Sequence, residues 1–161
     1  MDAAAFEEAV RPLLRRGAAY AVSLLRDRRE AEDAVQQATL HAWQGRARFD
    51  GQRPFKTWWF AILRNHCFDE LRRKRRMPMA IQHDDAALSS PADESAVDRL
   101  VLERAMDKLS ESQREILRLR YFGDLTYREL AQILDIPEGT VMSRLHLARK
   151  ALAELLATEA A

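Results

Sequence analysis

Apolar side chains recur along this chain at three- and four-residue intervals and hardly anywhere in strict alternation, so helices are expected throughout. In the first stretch, about 2–26, Phe6, Val10, Leu13, Leu14, Ala18 (or Ala21), Leu24 and Leu25 keep a helical period, with Asp2 as its cap. A second helix is expected from about Arg28 to Gly45. Its inner stripe is Ala31, Ala34, Val35, Ala38 and Ala42, and its outer stripe is Asp33, Gln36, Gln37 and Leu40. The segment 45–54 reads as a loop in which Phe49 is the one large apolar residue. Pro54 then opens a third helix to about Arg76. That helix is apolar on two sides, with Phe55, Trp59, Ile62 and Leu63 on one and Phe60, Cys67, Phe68 and Leu71 on the other, so neighbours should clasp it.

Residues 77–93 lose the period. Met77, Pro78, Gln82, His83, Ser89, Ser90 and Pro91 read as a linker that, fully extended, would span roughly 50–60 Å. Four helices are expected beyond it. The first, about 94–108, would pack Val97, Leu100, Val101 and Ala105. Ser110 with Gln113 makes a capping box for the next, which runs to about Phe122. Gly123-Asp124 turns the chain, and helices over 126–134 and 137–157 complete it. The expected architecture is all-α, with two small helical domains, 1–76 and 94–161, joined by a flexible linker over 77–93.

Composition narrows the function. Cys67 is the single cysteine, which excludes an intramolecular disulfide framework and a Cys-rich zinc site. Asp2, Glu7 and Glu8 stand where a secretory signal would be basic, and no apolar run reaches membrane-spanning length, so a cytoplasmic protein without membrane insertion is expected. The formal charge of +1 hides an asymmetry. Over 64–76, Arg64, Arg72, Arg73, Lys74, Arg75 and Arg76 face only Asp69 and Glu70, whereas 84–98 holds Asp84, Asp85, Asp93, Glu94 and Asp98 with no base. A basic surface followed by a solvated acidic connector fits this pattern, as does a frayed basic helix end. No serine elbow, phosphate loop or metal-ligand spacing accompanies the Ser, His and Asp residues, so no catalytic residue, metal or cofactor is expected.

The stretch Leu125–Leu145 reads as a helix-turn-helix. Thr126 and Glu129 form a second capping box, Pro137 sits just inside the next helix start, and the small Ala131 precedes the core residue Val141 by ten positions. In the last helix Val141, Leu145, Ala148 and Leu152 share the inward face. At 100° per residue the opposite face carries Gly139, Ser143, His146 and Lys150, flanked by Thr140, Met142 and Leu147. Such a face suits base edges, with Arg144 and Arg149 at its borders suited to phosphates or guanine. Glu138 either favours the helix dipole alone or also accepts from a cytosine amino group. In the third helix Trp58, Asn65, Asp69, Arg72 and Arg76 form a further stripe, able to stack a displaced base and hold its backbone. Trp58 fits plain core equally well, and Asp69 fits an ion pair with Arg72 or Arg73.

These residues also carry a family resemblance, covering most of the chain. Arg29–Trp43 resembles the core-binding helix of region 2 in the sigma-70 family of bacterial RNA polymerase sigma factors. Phe55–Arg76, above all Trp58–Asn65 and Asp69–Arg73, resembles the family's promoter-melting and −10-reading helix, and Leu109–Leu152 resembles region 4, which reads the −35 element. The order and the short linker match the extracytoplasmic-function (ECF) group. The resemblance implies an alternative sigma factor that binds core polymerase and directs it to particular promoters, and is not itself an enzyme. It places Asp33, Gln36, Gln37 and Leu40 against the β′ clamp helices, and gives the β flap as a second contact. It assigns Arg53, Trp58, Asn65, Arg72, Arg73 and Arg76 to the −10 element, with the loop Arg46–Arg53 holding a flipped base. Thr126, Glu138, Gly139, Thr140, Ser143, Arg144, His146, Arg149 and Lys150 fall to the −35 element. It implies restraint by an anti-sigma factor, and gives the acidic linker the role of a transcript mimic.

Three residues depart from the family's pattern. Gln37 stands where Glu is common, and Met142 and Leu147 stand where basic residues are common. A free-standing helix-turn-helix regulator is the alternative reading of the same chain, but it gives the Trp58–Arg76 stripe no task. A nucleic-acid hydrolase would need clustered carboxylates, which are not evident.

Overall fold

The computed structural model describes residues 1–77 and 94–159, with side chains from residue 96 onward in the second stretch. The linker expected over 77–93 therefore lies, except for Met77, outside the described residues. Among those residues the chain forms helices α1 (Ala3–Val10), α2 (Leu14–Leu25), α3 (Arg28–Gly45), α4 (Phe55–Arg76), α5 (Glu94–Asp107), α6 (Glu111–Tyr121), α7 (Tyr127–Leu134) and α8 (Glu138–Glu159), and no strand.

Local chemistry accounts for most of the boundaries. The Asp2 carboxylate accepts from the Ala5 amide at 2.9 Å, and Asp27 does the same for Glu30 at 2.9 Å. The first helix expected over 2–26 is two. Pro12 lies within a 3₁₀ turn, Arg11–Leu13, that separates α1 from α2, as a residue lacking an amide proton would do. Both expected capping boxes form, Ser110 with Gln113 and Thr126 with Glu129. Asp135, at φ 54°, ends α7 in the left-handed region, and the Ile136 amide donates to the Ala131 carbonyl at 3.1 Å.

Helices α1–α4 enclose a core centred on Trp59, Tyr20, Phe60 and Leu63, all essentially inaccessible. The alanine stripe of α3 is buried throughout, which lets that helix lie close to α2 and α4. The Trp59 indole donates to the Thr39 hydroxyl at 3.3 Å. Gly17 of α2 faces that indole: a Cβ there would lie 2.3 Å from the ring. Leu14, expected inward, is 37% exposed at the start of α2, directly after the 3₁₀ turn.

Helices α6–α8 form the second core around Ile116, Leu119, Leu125, Leu130, Val141 and Leu145. α5 joins it only through its C-terminal half. Ala105 is fully buried, but Val97 and Leu100, expected to pack, are 64% and 48% exposed, since α5 leans mainly on α8.

The two helical bodies touch. α4 lies against α7, and α2 against α6. Lys56 donates to the Asp124 carbonyl at 2.7 Å and stands 3.5 Å from the Glu129 carboxylate. Arg64 pairs with Glu115 and Arg26 with Asp107, while Arg16 lies 3.7 Å from Asp124.

Alanine has the better helix propensity, yet at residue 17 its methyl group would collide with the Trp59 ring. Gly17→Ala is expected to destabilise the protein by about 1–3 kcal/mol. Urea unfolding should show a lower midpoint with an unchanged slope.

Candidate nucleic-acid and polymerase interfaces

Three exposed stripes carry the site residues expected from sequence. On α3, Asp33, Gln36, Gln37 and Leu40 all face outward along one side, with Leu40 49% exposed. The alanines behind them anchor the helix, so this mixed polar and apolar strip stands on a rigid base.

On α4, Asn65, Asp69, Arg72 and Arg76 lie exposed along one line, as their spacing requires. Arg72 is tied to Asp69, Arg73 to Glu70, and Lys74 crosses to Glu30 of α3. Two of the arginines assigned to DNA thus begin in intrahelical pairs, which are weak enough at an exposed surface to be exchanged for phosphate. Arg53 is exposed in the preceding loop. Trp58 is half-buried, neither plain core nor free. Its ring lies 5.1 Å from Phe49 at a 34° tilt and 5.6 Å from Phe55. Phe49 and Trp58 together cap the end of the stripe with an aromatic surface. A lone aromatic in an otherwise polar loop was the available signal for Phe49. Arg46 is held over the Trp43 ring at 3.6 Å and donates to the Trp43 carbonyl, which fixes the start of that loop.

On α8, Glu138, Gly139, Met142, Ser143, Arg144, His146, Leu147 and Lys150 are exposed, and Thr140 is half-buried. The Ser143 hydroxyl donates to the Thr140 carbonyl at 3.1 Å, leaving its oxygen able to accept. The Thr126 hydroxyl accepts from the Glu129 amide at 3.2 Å, so its own proton stays available. Arg149 differs from its neighbours. It donates to the Tyr121 hydroxyl at 2.8 Å and to that of Tyr127 at 3.4 Å, which holds it against α6 and α7. These two tyrosines were not anticipated, because they lie 28 and 22 residues away along the chain.

Between the α3 and α4 stripes, His41 Nδ1 and His66 Nε2 meet at 3.2 Å. Burial, and then the nearby His41, push His66 below its ordinary value, with Asp69 opposing. Among the described residues no group of three His, Cys, Asp or Glu could hold a metal ion, and no helix is long and apolar enough to cross a membrane.

Two family descriptions cover these stripes. Sigma-70 region 2 matches residues 8–77, and sigma-70 region 4 matches residues 99–152. The ECF RNA polymerase sigma factor SigL of Mycobacterium tuberculosis is 38% identical over 138 residues, spanning 83% of this chain and 78% of the relative. The chain belongs to the sigma-70 family. Within it the match is to the ECF group, which also includes SigW of Bacillus subtilis, 30% identical over 141 residues covering 79% of this chain and 75% of that one. The solved structure of the sigma factor RpoE with the anti-sigma factor NepR from Bartonella quintana aligns with a TM-score of 0.73 at 30% identity, covering 94% of this chain and 96% of that one. CnrH, solved with the cytosolic domain of CnrY, shares the fold, with a TM-score of 0.75 at 24% identity over 98% of this chain and 90% of that one. This ECF sigma factor is accordingly a transcription initiation factor and not an enzyme.

The histidine pair gives a pH dependence with a definite sign. Unfolded, His66 takes up its proton near 6.5; folded, it does so at lower pH. Its contribution is fully present above about pH 6.5 and is lost as pH falls below that value. NMR titration should place the His66 midpoint below 6.5, and His41→Gln should move it upward.

Proposed function

We propose that this sigma factor docks on core RNA polymerase through the α3 strip and reads promoters with the exposed faces of α4 and α8. Residues 1–76 would act as region 2, 77–93 as the connector and 94–161 as region 4. Asp33, Gln36, Gln37 and Leu40 would meet the β′ clamp helices, and residues 94–161 the β flap. Asn65 would read a −10 base, Phe49 and Trp58 would supply the stacking surface, and Arg53, Arg72, Arg73 and Arg76 would track the backbone. Arg144 and the short residues Gly139, Thr140 and Ser143 would enter the −35 groove, with Glu138, His146 and Lys150 beside them. Thr126 and Arg149, which lie nearer the α6–α7 side, would hold phosphates. The observation that carries this reading is that all three stripes are exposed at once and fall within the matched regions.

The protein would work in the cytoplasm, where its polymerase is. It would be restrained by an anti-sigma factor. Support comes from the aligned RpoE, which was solved with such a partner.

Run-off transcription with purified core polymerase on a promoter library tests the reading. Specific start sites that appear only with this protein support it. Tight operator binding with no transcript would instead make it a repressor. Asn65→Ala is expected to slow open-complex formation while leaving core binding intact, and equal loss of both would remove its assignment. Arg144→Ala should weaken promoter binding by about 1–3 kcal/mol through loss of a bidentate base contact. A mobility-shift titration on the holoenzyme measures it.

A further inference from the structure

Arg118 is buried, 8% exposed, yet no ion pair or hydrogen bond engages its guanidinium among the described contacts. A buried charge is normally paired, because desolvation is otherwise uncompensated. Arg118 lines a cavity of about 320 Å³ between the two helical bodies. Tyr20, on the other body, lines the same cavity, and its hydroxyl is buried without a hydrogen-bond partner. The cavity is thus lined from both domains, and the guanidinium of Arg118 on its wall has no ion pair or hydrogen bond of its own.

The remaining lining defines what would satisfy it. Arg75 and Arg114 add two further guanidinium groups, Arg114 donating to the Asp107 carbonyl at 3.0 Å, while Arg26 is spent on the Asp107 carboxylate. Burial first, and then Arg114 and Arg26, disfavour the charge on Arg118, and Tyr20 and Asp107 only partly offset this. Of the lining carboxylates, Asp107 is taken by Arg26 and Glu115 by Arg64, which leaves Glu111. The walls between the charges are apolar, from Leu24, Phe68 and Leu71. The volume is that of a small-ligand pocket and exceeds what a bare oxyanion needs.

We propose that this interdomain cavity is a binding site for a small organic phosphate, a phosphomonoester on a compact apolar body. Its oxygens accept from Arg118 and Arg75, and its body rests on Phe68 and Leu71. Because the lining comes from α2 and α4 on one side and α5 and α6 on the other, the ligand favours the packed arrangement of the domains over any separated one.

Calorimetric titration of the full chain with phenyl phosphate, at constant ionic strength, tests this without polymerase or DNA. Saturable binding is expected, with inorganic phosphate weaker and benzyl alcohol inactive. Arg118→Met keeps the apolar stem and removes the charge, and should weaken binding about tenfold or more, the weight of one charge-assisted hydrogen bond. Arg75→Gln, at an exposed position, serves as a second variant with little risk to folding and should also weaken it. Circular dichroism verifies that both are folded. Equal affinity in the wild type and both variants, non-saturable heat, or equal binding of inorganic and phenyl phosphate would overturn the assignment.

Discussion

The close approach of α2 to the Trp59 indole is the constraint from which the first domain takes its form. It needs a residue with no side chain at Gly17, and it places the largest ring of the domain at its centre. Trp59 then reaches α3 through Thr39 and touches Phe60 edge-on, so three helices are keyed to one side chain. The stripes proposed to meet polymerase and DNA lie on α3 and α4. Their mutual spacing is therefore fixed by a contact that neither ligand touches.

The junction between the domains is of another kind. It combines apolar contact, through which the buried residues of both bodies form one cluster, with ion pairs whose partners remain partly solvated, such as Arg64 with Glu115 and Arg26 with Asp107. Such pairs weaken with ionic strength and contribute little individually. The exposed stripes of α4 and α8 stay uncovered in the packed state.

What the sequence conveyed well was local. The capping boxes at Ser110 and Thr126 formed because each involves residues three apart, whose geometry the helix itself dictates. The inner stripe of α3 and the outward Asn65–Arg76 line followed from periodicity alone. The break at Pro12 is hidden in the apolar rhythm, which continues across it, while the missing amide acts only on the backbone. Val97 and Leu100 have the period of a packed helix but stay exposed among the described residues. The tyrosine clamp on Arg149, the histidine pair and the contacts between domains join residues far apart in sequence. Periodicity has nothing to say about these, because it reports which face is apolar and not what lies opposite. Spacing pointed the α4 and α8 stripes toward nucleic acid, and the family resemblance added the promoter elements and the polymerase contact proposed for them.

Met142 and Leu147 stand in the open on α8, 57% and 56% exposed. If that helix lies in the major groove, the apolar feature it would meet there is the C5-methyl group of thymine. Where a lysine or arginine would release counterions from the duplex, these two release none. The affinity of this region for its sequence would then depend less steeply on salt than that of a relative with basic residues at the same places, and more on thymine content.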